Sequence, residues 1–170
     1  MITDVILLRM NEYLDRAKKV LEEDGFLQPT IFAYISSTDT LVLPLMQEDD
    51  VYPENTLDIV SKILIAHDVS DYFVITESYI IQDNEAFDCI NVIYSGTRGK
   101  RLISVPFKKI TGSKEIFFGE STELDISNLE GTVFELFYLK SRTPNLSEKE
   151  CMEIRILFPL ELTEESRILH

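Results

Sequence analysis

The chain has 170 residues, 45% of them apolar and 27% charged, and a net charge of −14. A chain of this length suits one domain and buries roughly 70% of the surface its unfolded form exposes, so it needs no disulfide or metal to hold a core. No apolar run approaches the ~20 residues that span a bilayer, and an acidic surface repels phosphates, which disfavours nucleic acid as a partner.

Thr3 to Asp24 reads as an amphipathic helix. Ile2, Ile6, Met10, Tyr13, Ala17 and Val20 recur at spacings of three and four, and Leu14 and Leu21 widen that face. Thr3 or Asp4 can cap its start, and Gly25 stands where a helix end takes positive φ. Phe26 to Met46 reads as a hairpin of two strands, Ile31–Ile35 and Leu41–Leu45, around the polar turn Ser36-Ser37-Thr38-Asp39. An acidic loop follows, Gln47 to Tyr52, and Pro53 suits the first turn of a second helix, Glu54 to about Asp68. Leu57, Val60, Ile63, Leu64 and His67 share one side of that helix.

Three strands come next: Tyr72–Gln82, Phe87–Ser95 and Arg101–Ile110. In the first, Glu77 falls on the face of Phe73, Ile75, Tyr79 and Ile81. A bulge near Thr76-Glu77 would turn that carboxylate to solvent. Gly96 to Lys100 forms a loop whose two glycines suit a hairpin turn, and Pro106 implies an edge or a bulge. Ile116–Phe118 reads as a short strand. Glu120 to Glu130 reads as irregular, with one helical turn around Ile126 and Leu129. Thr132–Lys140 reads as a strong strand. In Cys151–Leu162, Met152, Ile154, Ile156, Phe158 and Leu160 alternate with polar residues, the pattern of a half-buried antiparallel strand.

The expected fold is therefore α+β: a mainly antiparallel, twisted sheet of about six to eight strands, with two principal helices in the first 70 residues. We expect one domain over residues 1–170, in which a helix–hairpin–helix unit, 1–70, packs on the strand-rich part, 71–163. Met1-Ile2-Thr3-Asp4 has no basic start leading into an apolar stretch, so no signal peptide is expected. With only Cys89 and Cys151, reduced thiols and a cytoplasmic location are expected.

Signatures of catalysis are absent from the sequence. It has no phosphate-cradling glycine loop, no G-x-S-x-G elbow, and no zinc-ligand spacing among Cys89, Cys151, His67 and His170. No cofactor or metal is expected. Glu77 and His67 are the two residues a small enzyme would use. The ordinary role of a histidine on an apolar helix face is a packed, hydrogen-bonded one, and the bulge sends Glu77 to solvent.

Charge is unevenly distributed. Between Gly96 and Phe118 stand Arg98, Lys100, Arg101, Lys108, Lys109 and Lys114 against Glu115 alone, a net of +5, so the remainder carries −19. A basic hairpin on an acidic body can clamp a phosphate, an anionic headgroup or an acidic peptide. The same cations would also keep an edge strand soluble. The expected binding residues are Arg98, Lys100, Arg101, Lys108 and Lys109, in a non-enzymatic module for a protein partner or small anion. A homodimer through a sheet edge is one form of it. The alternative is an acidic inhibitor or immunity-type protein that blocks a basic target.

Ile75–Ile81, Gly96–Arg101 and Ile103–Ile110 locally resemble bacterial pleckstrin-homology-type domains, over less than a third of the chain. The pattern departs after Thr132. That family would end in a long helix, whereas Cys151–Leu162 reads here as a strand, so the chain is not assigned to it.

Overall fold

The computed structural model describes residues 4–34, 39–45, 56–126, 146–159 and 161–162. Helix α1, Val5–Asp24, starts where the Asp4 carboxylate accepts from the Leu7 amide. It ends at Gly25, whose φ of 81° lets its amide return to the Leu21 carbonyl. Its buried residues, Met10, Tyr13, Leu14, Ala17, Val20 and Leu21, are those the 3.6-residue period selects. Strands β1, Thr30–Tyr34, and β2, Asp39–Pro44, form the expected hairpin. Helix α2, Thr56–Ala66, buries Val60, Ile63 and Leu64; Asp68, at φ 52°, turns the chain out of it. The expected start of α2 at Glu54 and the strand at 132–140 lie outside the described residues, as does the acidic loop before α2.

The central block is a meander of β3 (Asp71–Gln82), β4 (Glu85–Gly96) and β5 (Gly99–Lys109). Asp83 and Asn84 both take positive φ between β3 and β4, as a tight two-residue hairpin requires. With β6 (Ile116–Phe118), β7 (Thr122–Asp125) and β8 (Glu161–Leu162), seven strands among the described residues run in the order β6-β5-β4-β3-β1-β2-β8. The eighth, β7, pairs with β5 beside β6, and every pairing is antiparallel. The expected class, an antiparallel α+β fold with two helices in the first 70 residues, is the observed one.

Alternation along the strands sorts the core into two layers. Phe32, Phe73, Ile75, Ile90, Val92, Tyr94, Ile103 and Val105 face α1. Ile31, Ala33, Leu41, Leu43, Tyr72, Val74 and Ile93 face α2. Phe73 is the hub of the first layer, with Tyr13, Tyr34 and Tyr94 at centroid distances of 5.3, 5.5 and 5.2 Å. Each such side chain, fully buried, contributes about 1.5–3 kcal/mol relative to exposure.

Three segments differ from expectation. Residues 151–157 are helical, within α3, Glu148–Leu157, and only Glu161–Leu162 is strand. The Ser147 side chain accepts from the Glu150 amide, a capped start that outweighs the period-2 pattern. The expected irregular stretch after Glu120 contains β7, because Arg101–Ser104 of β5 offers a free side for Thr122–Asp125 to pair. Glu77 lies in no bulge: β3 and β4 pair without interruption from Tyr72 to Gln82.

Pro106 is accommodated at a gap. β7 covers Arg101–Ser104, β6 covers Phe107–Lys109, and the Pro106 carbonyl accepts from the Gly119 amide at 2.8 Å. Its missing N–H points to the same outer side, between the two short strands.

Helix α3 docks on the end of α2 through polar contacts. Arg155 Nε donates to the Ala66 carbonyl at 2.5 Å, its guanidinium lies 3.7 Å from Asp68, and His67 Nε2 is 2.7 Å from the Phe158 carbonyl. Arg155→Ala should destabilise the protein by about 1–2 kcal/mol and speed amide exchange in 148–157 well before exchange in β3 and β4. Hydrogen–deuterium exchange read by mass spectrometry checks both.

Candidate functional site

The β4–β5 hairpin tip is built around one carboxylate. Asp71, at the start of β3, reaches over the turn Gly96-Thr97-Arg98-Gly99. Its Oδ1 accepts from the Tyr94 hydroxyl at 2.5 Å, the Thr97 amide at 3.1 Å and the Thr97 hydroxyl at 3.2 Å. Its Oδ2 accepts from the Ser70 hydroxyl at 2.9 Å. Gly96 makes this approach feasible: a Cβ there would lie 2.0 Å from Asp71 Oδ1. Of the two turn glycines only Gly99 takes positive φ, so Gly96 serves the close approach instead. The Arg98 amide, 3.4 Å from the Tyr94 oxygen, ties the other half of the turn to the same network.

The electrostatics follow from burial and these bonds. Burial pushes the Asp71 carboxyl up, but the hydrogen bonds from Tyr94, Ser70 and Thr97 outweigh it and hold the group below its ordinary value. Burial, then the bond to Asp71, pushes the Tyr94 phenol up to about 12. Asp71 is thus an ionised staple whose acceptor sites are taken.

Beside the tip opens a cleft of about 350 Å³ between the first turns of α1 and the ends of β1, β3 and β4. Val5, Ile6 and Phe73 give it apolar walls, and Arg9 and Arg98 bring two guanidinium groups to it. Arg9 sits 5.5 Å over the Tyr34 ring and 3.5 Å from Glu12. The Tyr34 hydroxyl is in turn bonded to that of Tyr13.

The five expected binding residues do not form one patch. Arg98 is exposed at the tip and lines the cleft. Lys100 is buried. Arg101 is clamped between Asp4, the α1 cap, and Glu123 of β7, and the Asp4 bond raises its pKa further. Lys108 and Lys109 lie about 23–26 Å from Arg101, seven and eight residues along an extended strand. Lys109 donates to the Gly25 carbonyl at 2.6 Å and so holds the end of α1. Linear proximity on one strand is not spatial proximity, and a charge count along the sequence does not register the difference. Arg9, which the helical wheel assigns to the polar side of α1, is the cleft residue that sequence reasoning missed; no local signal marks it.

His67 and Glu77 are kept apart. His67 lies on the α2 side against α3, whereas Glu77 shares the α1 face with Phe73 and Ile75 and accepts from the Leu27 amide at 2.7 Å. Burial raises the Glu77 pKa, partly offset by that amide and by Lys109. Asp71 bonds to Tyr94 rather than to His67. Among the described residues no three His, Cys, Asp or Glu side chains are grouped to hold a metal ion, and no helix is long and apolar enough to cross a membrane.

Set against known protein families, curated proteins and solved structures, the chain matches none.

Asp71→Ala should cost about 1–2 kcal/mol, because it strips the buried Tyr94 hydroxyl of an acceptor. The Asp71 pKa is lowered on folding, so its contribution is present above about pH 4 and is lost as pH falls through the folded value. The gap between wild type and variant should therefore narrow on acidification, measured by urea unfolding from pH 7 to pH 3. Glu77→Gln should do the reverse. A carboxyl whose pKa is raised favours the protonated form, so the variant should equal or slightly exceed wild type at pH 7 and converge with it below about pH 4.5.

Proposed function

We propose that the protein is a non-enzymatic interaction module that holds an anionic group of a partner or small molecule in the cleft beside the β4–β5 hairpin. The observation that carries this reading is Arg98. It is exposed, has no ion pair among the described residues, and stands on a turn held rigid by Asp71 at the mouth of a cleft that Arg9 also lines. A turn already fixed loses little backbone entropy when it binds, and apolar walls strengthen hydrogen bonds from its cation to a carboxylate or phosphate. The ligand class that fits is an anion with an apolar flank. The free thiols of Cys89 and Cys151 support a cytoplasmic setting.

A homodimer through a sheet edge is compatible with this reading, because the cleft occupies only one end of the sheet. The alternative, an acidic inhibitor of a basic target, draws on the charge of −14 and would leave Arg98 idle.

Titration of the ¹⁵N-labelled protein with benzoate and with inorganic phosphate tests the reading. Amides of Thr97, Arg98, Gly99 and Arg9 should shift, with benzoate the tighter ligand at a Kd on the order of 1 mM. Arg98→Glu should weaken binding by about 10-fold or more without unfolding the protein, whereas reversal of the buried Lys100 or the ion-paired Arg101 would disturb the fold. If neither anion moves these amides, or if Arg98→Glu binds as well as wild type, the reading fails.

A further inference from the structure

The two sides of β3 are covered unequally. One side pairs with β4 from Tyr72 to Gln82, whereas the other pairs with β1 only from Asp71 to Ile75. The chain entering β1 leaves the plane of the sheet, because the Leu27 amide is drawn to the Glu77 carboxylate on the α1 face. From Thr76 to Gln82, seven residues, no strand among the described residues pairs with this side of β3. Past Tyr79, β3 and β4 project as a two-stranded arm, since β5 pairs with β4 only from Asp88, the partner of Tyr79, onward.

An open strand side presents outward N–H and C=O groups ready to pair, and soluble proteins usually guard it with lysine, proline or a bulge. Thr76–Gln82 has none of these. Its one charged residue, Glu77, is fastened to Leu27, and its register with β4 is unbroken. At its centre Tyr79 is 70% exposed.

We infer that this strand side is the interface of a homodimer, in which two copies pair Thr76–Gln82 antiparallel about a two-fold axis at Tyr79. The inference rests on the sheet-edge part of the proposed function and is independent of the anion cleft, which lies at the other end of β3. A second copy is the fitting occupant because the stretch complements itself. With the axis at Tyr79, Glu77 falls opposite position 81 of the second copy, an isoleucine, so no carboxylate meets its like. Residues directly opposite one another share a face, which sets the two Tyr79 rings side by side and removes them from water. The paired stretch is about 23 Å long, small for a specific interface. Each copy also carries −14. The dimer is therefore weak, and screening strengthens it.

Sedimentation of the full chain from about 10 µM to about 1 mM tests this, and the mass should move from monomer toward dimer across that range. Raising the salt from about 0.05 M to about 0.5 M should tighten the dimer, the opposite of its effect on anion binding in the cleft. Tyr79→Lys, which sets two cations face to face on the axis, should weaken the dimer by about 10-fold or more while the monomer unfolds as wild type. Amides of 76–82 should gain exchange protection as protein concentration rises. Arg98→Glu should leave dimerisation unchanged, so loss of the anion site and loss of the dimer are read separately. A monomer at every concentration, or a dimer that Tyr79→Lys does not weaken, overturns the inference.

Discussion

Burial of the first half of β3 on both faces sets the architecture. Tyr72 and Val74 point to one layer, Phe73 and Ile75 to the other, and all four are shielded from water. A sheet with two apolar faces needs a cover on each, and the chain supplies α1 for one and α2 for the other. α1 alone carries the aromatic hub on its side, with Tyr13 stacked on Phe32 at a centroid distance of 4.8 Å. Its two ends are then tied to β5, through Asp4 and Arg101 at the start and through Gly25 and Lys109 at the finish. Two of the cations that stand out in the sequence thus act as clamps between a helix and a strand.

Much of this was legible in the sequence where one period ruled a long segment. Met10, Tyr13, Ala17 and Val20 mark α1, and the loop from Gly96 to Lys100 marks the turn between strands of twelve and eleven residues. The failures have a common form. In residues 151–158 a two-residue alternation of apolar side chains competed with the Ser147–Glu150 cap, and on a helix that alternation leaves Met152 and Ile156 largely exposed. β7 could not be seen locally, since what makes it a strand is the open side of β5.

The candidate site was half legible for a related reason. Arg98 was marked by its turn, but what gives it a use is the junction of Asp71 with Gly96, residues 25 positions apart that sheet register brings together. Periodicity reports which face a residue takes; it does not report how far along a strand two residues of like charge stand. Arg101 and Lys109 illustrate the point: one is tied to the start of α1, the other to its end.

Among the described residues, the outer border of the sheet differs in kind from the open side of β3. Pro106 and Gly119 fit one another, and a Cβ at position 119 would come within 2.8 Å of the proline ring. They divide that border into a three-residue piece and a four-residue piece, β6 and β7. Neither is long enough to template a foreign strand. The pair therefore works as a built-in guard against fibril growth on the flank where the sheet would otherwise end in an uninterrupted eleven-residue strand.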